Sequence, residues 1–408
     1  MIENNDYYIA LENTNGAHNY HPLPVVLSRG KGIYLWDVED RKYLDFLSAY
    51  SAVNQGHNHP DILAALKHQA GQLSLVSRAF HSDQLGLFAA HITRLFGYDK
   101  VLPMNTGAEG VETAIKLCRK WGYMKKNIPV NRGKIIFASG NFHGRTLGAI
   151  SASVSPDSTG GFGPFVPGYH IIPYNDIDAL EAALQDPNVA GFLVEPIQGE
   201  AGVIVPADGY LHRAAGLCKE HNVLFMADEI QTGLARTGRM LCCDHEDVRP
   251  DVLILGKALS GGLYPVSAVL ADDAIMLCIR PGEHGSTYGG NPLACAVAIA
   301  ALDVLVDESL AENALEMGKL FRSELRIIQQ NQPLIKEVRG KGLLNAIELD
   351  ADPESTTAWD LCVALMNNGL LAKPTHGNII RFAPPLVIQK EELNEGLDII
   401  GRTFEEME

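Results

Sequence analysis

The chain runs to 408 residues, 46% hydrophobic and 20% charged, which is ordinary for a folded protein with a sizeable core and room for two or three domains. A formal net charge of −16 repels phosphate backbones and anionic lipid, so neither nucleic acid nor a membrane surface is an expected partner, and an anionic substrate would need a local basic site. Seven cysteines, an odd number with no CxxC spacing, point to a reduced, cytoplasmic setting rather than a disulfide scaffold.

Residues 1–28 carry no Lys or Arg and three acids, Glu3, Asp6 and Glu12, unlike a signal or Arg-rich transit peptide. From about residue 100, short β-branched runs alternate with helical segments. KVLPM (100–104) precedes a helix whose Val111, Ala114, Ile115 and Cys118 repeat with the spacing of one buried face. KIIFAS (134–139), YHIIPY (169–174), AGFLVEP (190–196), VLFMAD (223–228), VLILG (252–256) and PVSAVLA (265–271) all read as strands. The expected fold class is α/β: a large domain with a mostly parallel seven-stranded sheet flanked by helices, plus a smaller α+β domain. Asn291 and Pro292 suit the N-cap and first turn of a long apolar helix, in which LACAVAIAAL (293–302) is too short to span a bilayer before Asp303. A second helix carries Leu310, Ala314, Met317, Phe321, Leu325 and Ile328 on one face, and LLNAIEL (343–349) and NIIRFAPPLVI (378–388) supply strands. The expected division is an N-terminal segment, 1–60, contributing to the small domain and dimer contacts, a large domain, 61–290, and a small C-terminal domain, 291–408.

In such a sheet, ligands gather at the C-terminal ends of the strands. Glu195, Asp228 and Lys257 each follow an apolar run. LILGKALSGG (253–262) sets Lys257 directly behind a buried strand, where an unused cation is costly. Alone, Lys257 reads as a solvated lysine opening a helix, and Asp228 as a helix N-cap. Together, with room for one helix and one strand between them, they suit pyridoxal phosphate: an amine to hold the aldehyde as a Schiff base, and a carboxylate to keep the pyridine nitrogen protonated. Phosphate handling then falls to NTGAEGVETA (105–114), where Thr106, Gly107 and Ala108 open a helix, and to GEHGSTYGGN (282–291), which offers Ser286 and Thr287. Either glycine motif alone is weak evidence. No GxGxxG opens a helix after a strand and no Gly-Lys pair precedes Ser or Thr, which argues against a nucleotide site. Neither His57 with His59 nor Cys242, Cys243 with His245 has zinc spacing, so no metal is expected.

FMADEIQTGLARTGR (225–239) and DVLILGKALSGGLYPVSAVLA (251–271) resemble the signature of the class III pyridoxal phosphate aminotransferases, and the likeness extends from HNYHPLPV (18–25) to RFAPPLVI (381–388). AYSAVNQGHNHP (49–60), NFHGRT (141–146), VEPIQGEAGVIVP (194–206) and GEHGSTYGGNPL (282–293) are most similar to the members that act on ornithine. The resemblance implies the fold type I architecture, pyridoxal 5'-phosphate as cofactor, and a ping-pong transfer of the δ-amine of L-ornithine to 2-oxoglutarate.

By the same resemblance, Lys257 is the Schiff-base lysine and proton shuttle, Asp228 pairs with the pyridine nitrogen, Gln231 meets the ring oxygen and Phe142 stacks on the ring. The Gly107 and Ala108 amides hold the phosphate, and Thr287 reaches the phosphate of a neighbouring subunit, which implies a homodimer at least. His143 stands where the family commonly has a bulkier aromatic; it is counted with the cofactor pocket and given no catalytic role. Arg145 binds the substrate α-carboxylate, Tyr20 the α-amine, and Tyr50 lines the same pocket. Glu200 masks Arg381 while ornithine reacts and releases it for 2-oxoglutarate. Acetylornithine and 4-aminobutyrate aminotransferases of the same family are the nearest alternatives, and Tyr20, Tyr50 and Glu200 together favour free ornithine.

Overall fold

Strands buried on both faces must be apolar at nearly every position, and in the computed structural model, which describes residues 4–407, the apolar runs take up that role. Glu3 lies outside that range. Seven strands lie side by side in the order Lys100–Met104, Ser267–Ala271, Val252–Leu255, Leu224–Asp228, Val189–Val194, Lys134–Ala138 and Tyr169–Ile172. Only Ser267–Ala271 runs against the others. Alternate residues serve opposite faces. Ile135, Phe137 and Met226 pack under helix Gly107–Met124 through Val111, Ala114, Ile115 and Cys118, while Ile136, Phe192 and Phe225 meet Leu180, Tyr210 and Ala214. Thr106 caps that first helix in a reciprocal box with Glu109.

The second part of the chain follows its pattern less evenly. Asn291 caps helix Pro292–Asp307, its side chain accepting from the Ala294 amide at 2.8 Å. Helix Leu310–Asn331 buries Leu310, Ala314, Phe321 and Leu325. It packs on an antiparallel sheet ordered Ile335–Lys341, Leu344–Leu349, Ile379–Phe382 and Lys373–Thr375. The long strand expected over 378–388 stops at Phe382. Pro384 and Pro385 have no amide to give a ladder, and the chain instead hands the Ala383 and Leu386 amides to Phe46 and Asn54. A third sheet joins Leu27–Lys31, Tyr34–Asp37 and Lys42–Asp45 to the late strand Leu370–Leu371. Helix Asn5–Asn15, which periodicity did not suggest, has no buried residue. Among the described residues no helix is long and apolar enough to cross a membrane.

The other departure lies between Asp228 and Lys257. The helix expected there is replaced by turns and a short 3-10 segment, Cys242–Glu246. Leu234 and Ala235 take positive φ, which breaks any helical path. The chain coils around Arg236, the bulkiest of the fully buried side chains. Its guanidinium donates to Asn54 Oδ1, to the Leu343 carbonyl at 3.0 Å and to the Pro384 carbonyl at 2.6 Å. Among the described residues no carboxylate touches it, and burial pulls its pKa down to about 9. One arginine thus ties the large sheet to the N-terminal segment and to the smaller sheet. A continuous apolar core runs the same way, from Leu253 and Leu255 through Val297 and Leu302 to Phe321, Ile347 and Phe382.

Arg236→Lys should lower stability by about 2–4 kcal/mol, because a shorter ammonium cannot reach all three acceptors and leaves buried oxygens unpaired. A urea unfolding midpoint unchanged from wild type would contradict this.

Candidate active site

Five strands of the large sheet release their chains at one edge, and each delivers functional groups there. After Met104 come Thr106, Gly107 and Ala108; after Ala138 come Phe142, His143 and Arg145. After Val194 come Glu195 and Glu200; Asp228 ends its strand, with Gln231 three residues on; Lys257 follows Leu255. Eleven residues line one cavity of about 180 Å³: Gly107, Ala108, Phe142, His143, Gly144, Glu195, Glu200, Asp228, Ile230, Gln231 and Lys257. The first-turn amides of Gly107 and Ala108 have no partner within their own helix and point their positive end at this space.

Lys257 sits at φ +46, a left-handed conformation unusual for a lysine and held by the packed turn around it. Gly261 and Gly262 follow at φ +59 and +80, where any Cβ would run into Ile62 and Val53. Burial pushes the Lys257 amine below its ordinary value, with Arg381 adding to the effect and Glu200, Asp228 and Glu195 opposing it. A larger share of neutral, nucleophilic amine results.

Asp228 is not a helix cap. Its Oδ2 pairs with His143 Nδ1 at 2.7 Å, and its Oδ1 accepts from the Ile230 amide at 3.2 Å. His143 is therefore a buried support of the cofactor pocket, with its Nε2 lacking any partner among the described residues. Burial alone would lower the His143 pKa; the hydrogen bond to Asp228 and its charge more than offset that and raise it. Glu195 stands beside this pair, accepting from the Phe142 amide at 2.8 Å. Burial lifts its carboxyl to about 7, held back by the nearby His143.

The substrate side is built around Arg381 on strand Ile379–Phe382. Its Nη1 lies 2.9 Å from Glu200 Oε1, and its guanidinium carbon 4.8 Å from the centre of the Tyr50 ring. Burial, the largest single influence, raises the Glu200 carboxyl, but the charges of Arg381 and Lys257 and the hydrogen bonds from Gln231 and Arg381 together outweigh it, so the net direction is down and Glu200 stays ionised. Tyr50 lies on a turn in which Ser48, Ala49, Tyr50 and Ser51 all have positive φ. Four such non-glycine residues cost roughly 1 kcal/mol each. Asp45 holds the turn by accepting the Leu47 and Ser48 amides, and His57 pairs with its other oxygen at 2.7 Å. Tyr20 is 76% exposed at the mouth, 6.0 Å from Lys373 Nζ, and its neighbour His21 stacks on Trp359. Arg145 is exposed, over the Phe142 ring and bonded to Ser158 at 2.9 Å.

The aminotransferase class-III family matches residues 15–404. The chain belongs to that family. The ornithine aminotransferase of Rattus norvegicus, a mitochondrial protein, is 63% identical over 98% of this chain and 90% of its own length. A solved ornithine aminotransferase from Toxoplasma gondii, with pyridoxal phosphate at partial occupancy in its active site, superposes with a TM-score of 0.97 at 49% identity, covering 99% of this chain and 95% of that one. A structure named acetylornithine aminotransferase from Elizabethkingia anophelis is 59% identical with a TM-score of 0.92, over 99% of this chain and all of the other.

Pyridoxal phosphate, the cofactor that membership implies, fits the cavity by charge and shape. Helix amides sit at one end for a phosphate, a supported carboxylate at the other for a ring nitrogen, and an amine of lowered pKa between them. Three of the expected cofactor-binding residues are not in the cavity wall. Thr106 is spent on its cap, Ser286 accepts from the Asn105 side chain at 2.8 Å, and Thr287 faces solvent. Glu195 is legible in the sequence as an acid at a strand end, but its proximity to His143 follows only from the strand order. The strained Tyr50 turn carries no glycine or asparagine to announce it. Among the described residues no group of three His, Cys, Asp or Glu is placed to hold a metal.

Both His143 and Glu195 bind protons more tightly in the folded chain, above 6.5 for the imidazole and at about 7 against 4.5 for the carboxyl. The stability they lend is full below the unfolded values and fades as pH rises through the folded ones. The cofactor-free protein should therefore lose melting temperature between about pH 5 and pH 8, and Glu195→Gln should flatten part of that slope. Calorimetric scans showing no decline in the wild type would refute it.

Proposed function

We propose that this aminotransferase moves the δ-amine of L-ornithine to 2-oxoglutarate, giving glutamate and glutamate 5-semialdehyde, which closes to pyrroline-5-carboxylate. The observation that carries the reading is the pairing of Arg381 with Glu200, which lines the cavity. A bare guanidinium there would seize an α-carboxylate and present the α-amine to Lys257. Masked by Glu200, it leaves the α-carboxylate to Arg145 at the rim and brings the distal amine inward. Tyr20 meets the α-amine and Tyr50 walls the chain between. When 2-oxoglutarate follows, Glu200 gives up Arg381 to its α-carboxylate, and Arg145 takes the γ-carboxylate by the same paired hydrogen bonding.

Pyridoxal 5'-phosphate, when bound, supplies an aldehyde for amine exchange and a ring that accepts electrons. Gly107 and Ala108 would receive its phosphate, Phe142 would flank the ring, Gln231 would meet its oxygen, and Asp228 would face its nitrogen with His143 holding the carboxylate in place. Lys257 Nζ would carry the proton from the substrate carbon that bears the amine to the cofactor's aldehyde carbon, and in the second half of the cycle would carry one the opposite way onto the carbon of the second substrate. Thr287, exposed in one chain beside the partly exposed Ser286, suits a phosphate contact in a second copy, so the working unit in this reading is a homodimer. Seven buried, unpaired cysteines support a reducing, cytoplasmic compartment.

The name of the Elizabethkingia anophelis structure favours acetylornithine as a second reading. Single-turnover assays with ornithine, acetylornithine and 4-aminobutyrate decide between them: ornithine should react fastest, and a faster rate with acetylornithine would overturn the assignment. Lys257→Ala should abolish turnover with 2-oxoglutarate and the absorbance of the lysine-bound cofactor; a variant retaining both would sink the role of Lys257. Glu200→Ala should speed the reaction of glutamate relative to that of ornithine. An unchanged ratio of the two rates would remove Glu200 from substrate selection.

A further inference from the structure

The Glu200–Arg381 pair is not a simple ion pair. Glu200 Oε1 accepts from Arg381 Nη1 and also from Gln231 Nε2, both at 2.9 Å. Gln231 Oε1 in turn accepts from the same Arg381 Nη1 at 3.3 Å. The carboxamide thus lies with its oxygen toward the cation and its nitrogen toward the anion, closing a ring of three side chains. Two further features hold this ring. Gly199 has no side chain where one would be built, since a Cβ there would overlap the Gln231 carboxamide. Thr375, on the strand paired with that of Arg381, donates to the Glu200 carbonyl at 2.7 Å and pins the main chain. Opening therefore needs only the Glu200 side chain to turn.

We propose that Gln231 is a specificity-determining residue, the third arm of the Glu200–Arg381 gate, and that Gly199 exists as glycine to admit it. The proposal rests on the ornithine reading above. In the closed gate Gln231 gives Glu200 a second donor, so Glu200 does not leave Arg381 for a substrate ammonium. It also occupies part of the guanidinium that a second carboxylate would use. Removing the carboxamide favours the open gate. The open state is the one that binds a dicarboxylate, and apparent affinity scales with its population.

That consequence separates the idea from mere damage to the site. Gln231→Met and Gly199→Ala holoenzymes should bind glutarate, a dicarboxylate without an amine, about 5–10-fold more tightly than wild type by titration calorimetry, as Glu200→Ala should. With L-ornithine they should also shift product from pyrroline-5-carboxylate toward the α-keto acid, lowering the δ-to-α ratio at least about 10-fold by mass spectrometry. A residue that only packs or only holds cofactor would weaken glutarate binding or leave the ratio untouched. If glutarate affinity is unchanged or weaker in both variants, or the ratio stays at the wild-type value, the proposal is wrong. Failure of the ornithine reading shows separately, as a wild-type enzyme that does not turn over ornithine.

Discussion

Everything at the site depends on drawing one amine partly out of water. Lys257 emerges where the fully buried strand Val252–Leu255 ends, and burial there biases its amine toward the neutral form that attacks carbonyls. A cation in that place is tolerated because carboxylates surround it at different ranges: Glu200, Asp228 and Glu195 all oppose the shift. The sheet supplies this arrangement with little adjustment. Parallel strands end on the same edge, so groups distant in sequence meet without long loops.

The price of such crowding appears as charge that must be shared. Three acids and three bases stand within one small cavity and its wall, and no two of them are equivalent. Glu200 is driven down by Arg381, Lys257 and Gln231 together, while Glu195, more deeply buried and helped only by His143, Lys257 and one backbone amide, rises to about 7. Asp228 is steadied by that same histidine, which reaches it across the strand that carries Glu195. The polar ring around Arg381 extends the pattern outward, and Tyr50 covers its face from a backbone turn that would not persist alone. Asp45, His57 and the Ser48 hydroxyl hold that turn, so strain at the substrate wall is balanced by hydrogen bonds one layer behind it.

How much of this could be read in advance follows from where each signal resides. The seven strands were legible because burial on both faces leaves unbroken apolar runs, and the helix at Gly107–Met124 because Val111, Ala114, Ile115 and Cys118 keep its period. Lys257 and Asp228 stood out by the same logic, as charges at strand ends. The segment 229–251 misled because its composition permits a helix, while the constraint that forbids one is Arg236 bonding to residues far along the chain. The run 378–388 misled in the other direction: its hydrophobicity suits a strand, but two prolines deny it a ladder. The Tyr50 turn had no local mark, since its left-handed residues are serine, alanine and tyrosine. The resemblance supplied roles for Tyr20, Arg145 and Arg381 that spacing alone would not have suggested.

Substrate choice then comes down to few contacts on a scaffold shared with proteins named for different substrates. Ornithine and its acetylated form differ only at the α-nitrogen, where one carries a charge and the other an amide with added bulk. A polar site that pairs with the ammonium loses that partner when the nitrogen is acetylated, and an unpaired buried group costs far more than an extra methyl in an apolar pocket. In this protein the candidates for that contact, Tyr20 and Tyr50, lie at different depths: Tyr20 is exposed, whereas Tyr50 is half-buried beside Arg381. Discrimination by Tyr20 alone would be weakened by water, which competes for any exposed hydrogen bond. A strong preference for free ornithine therefore requires either that Tyr20 be shielded from water when substrate is bound or that the more deeply placed Tyr50 make the discriminating contact.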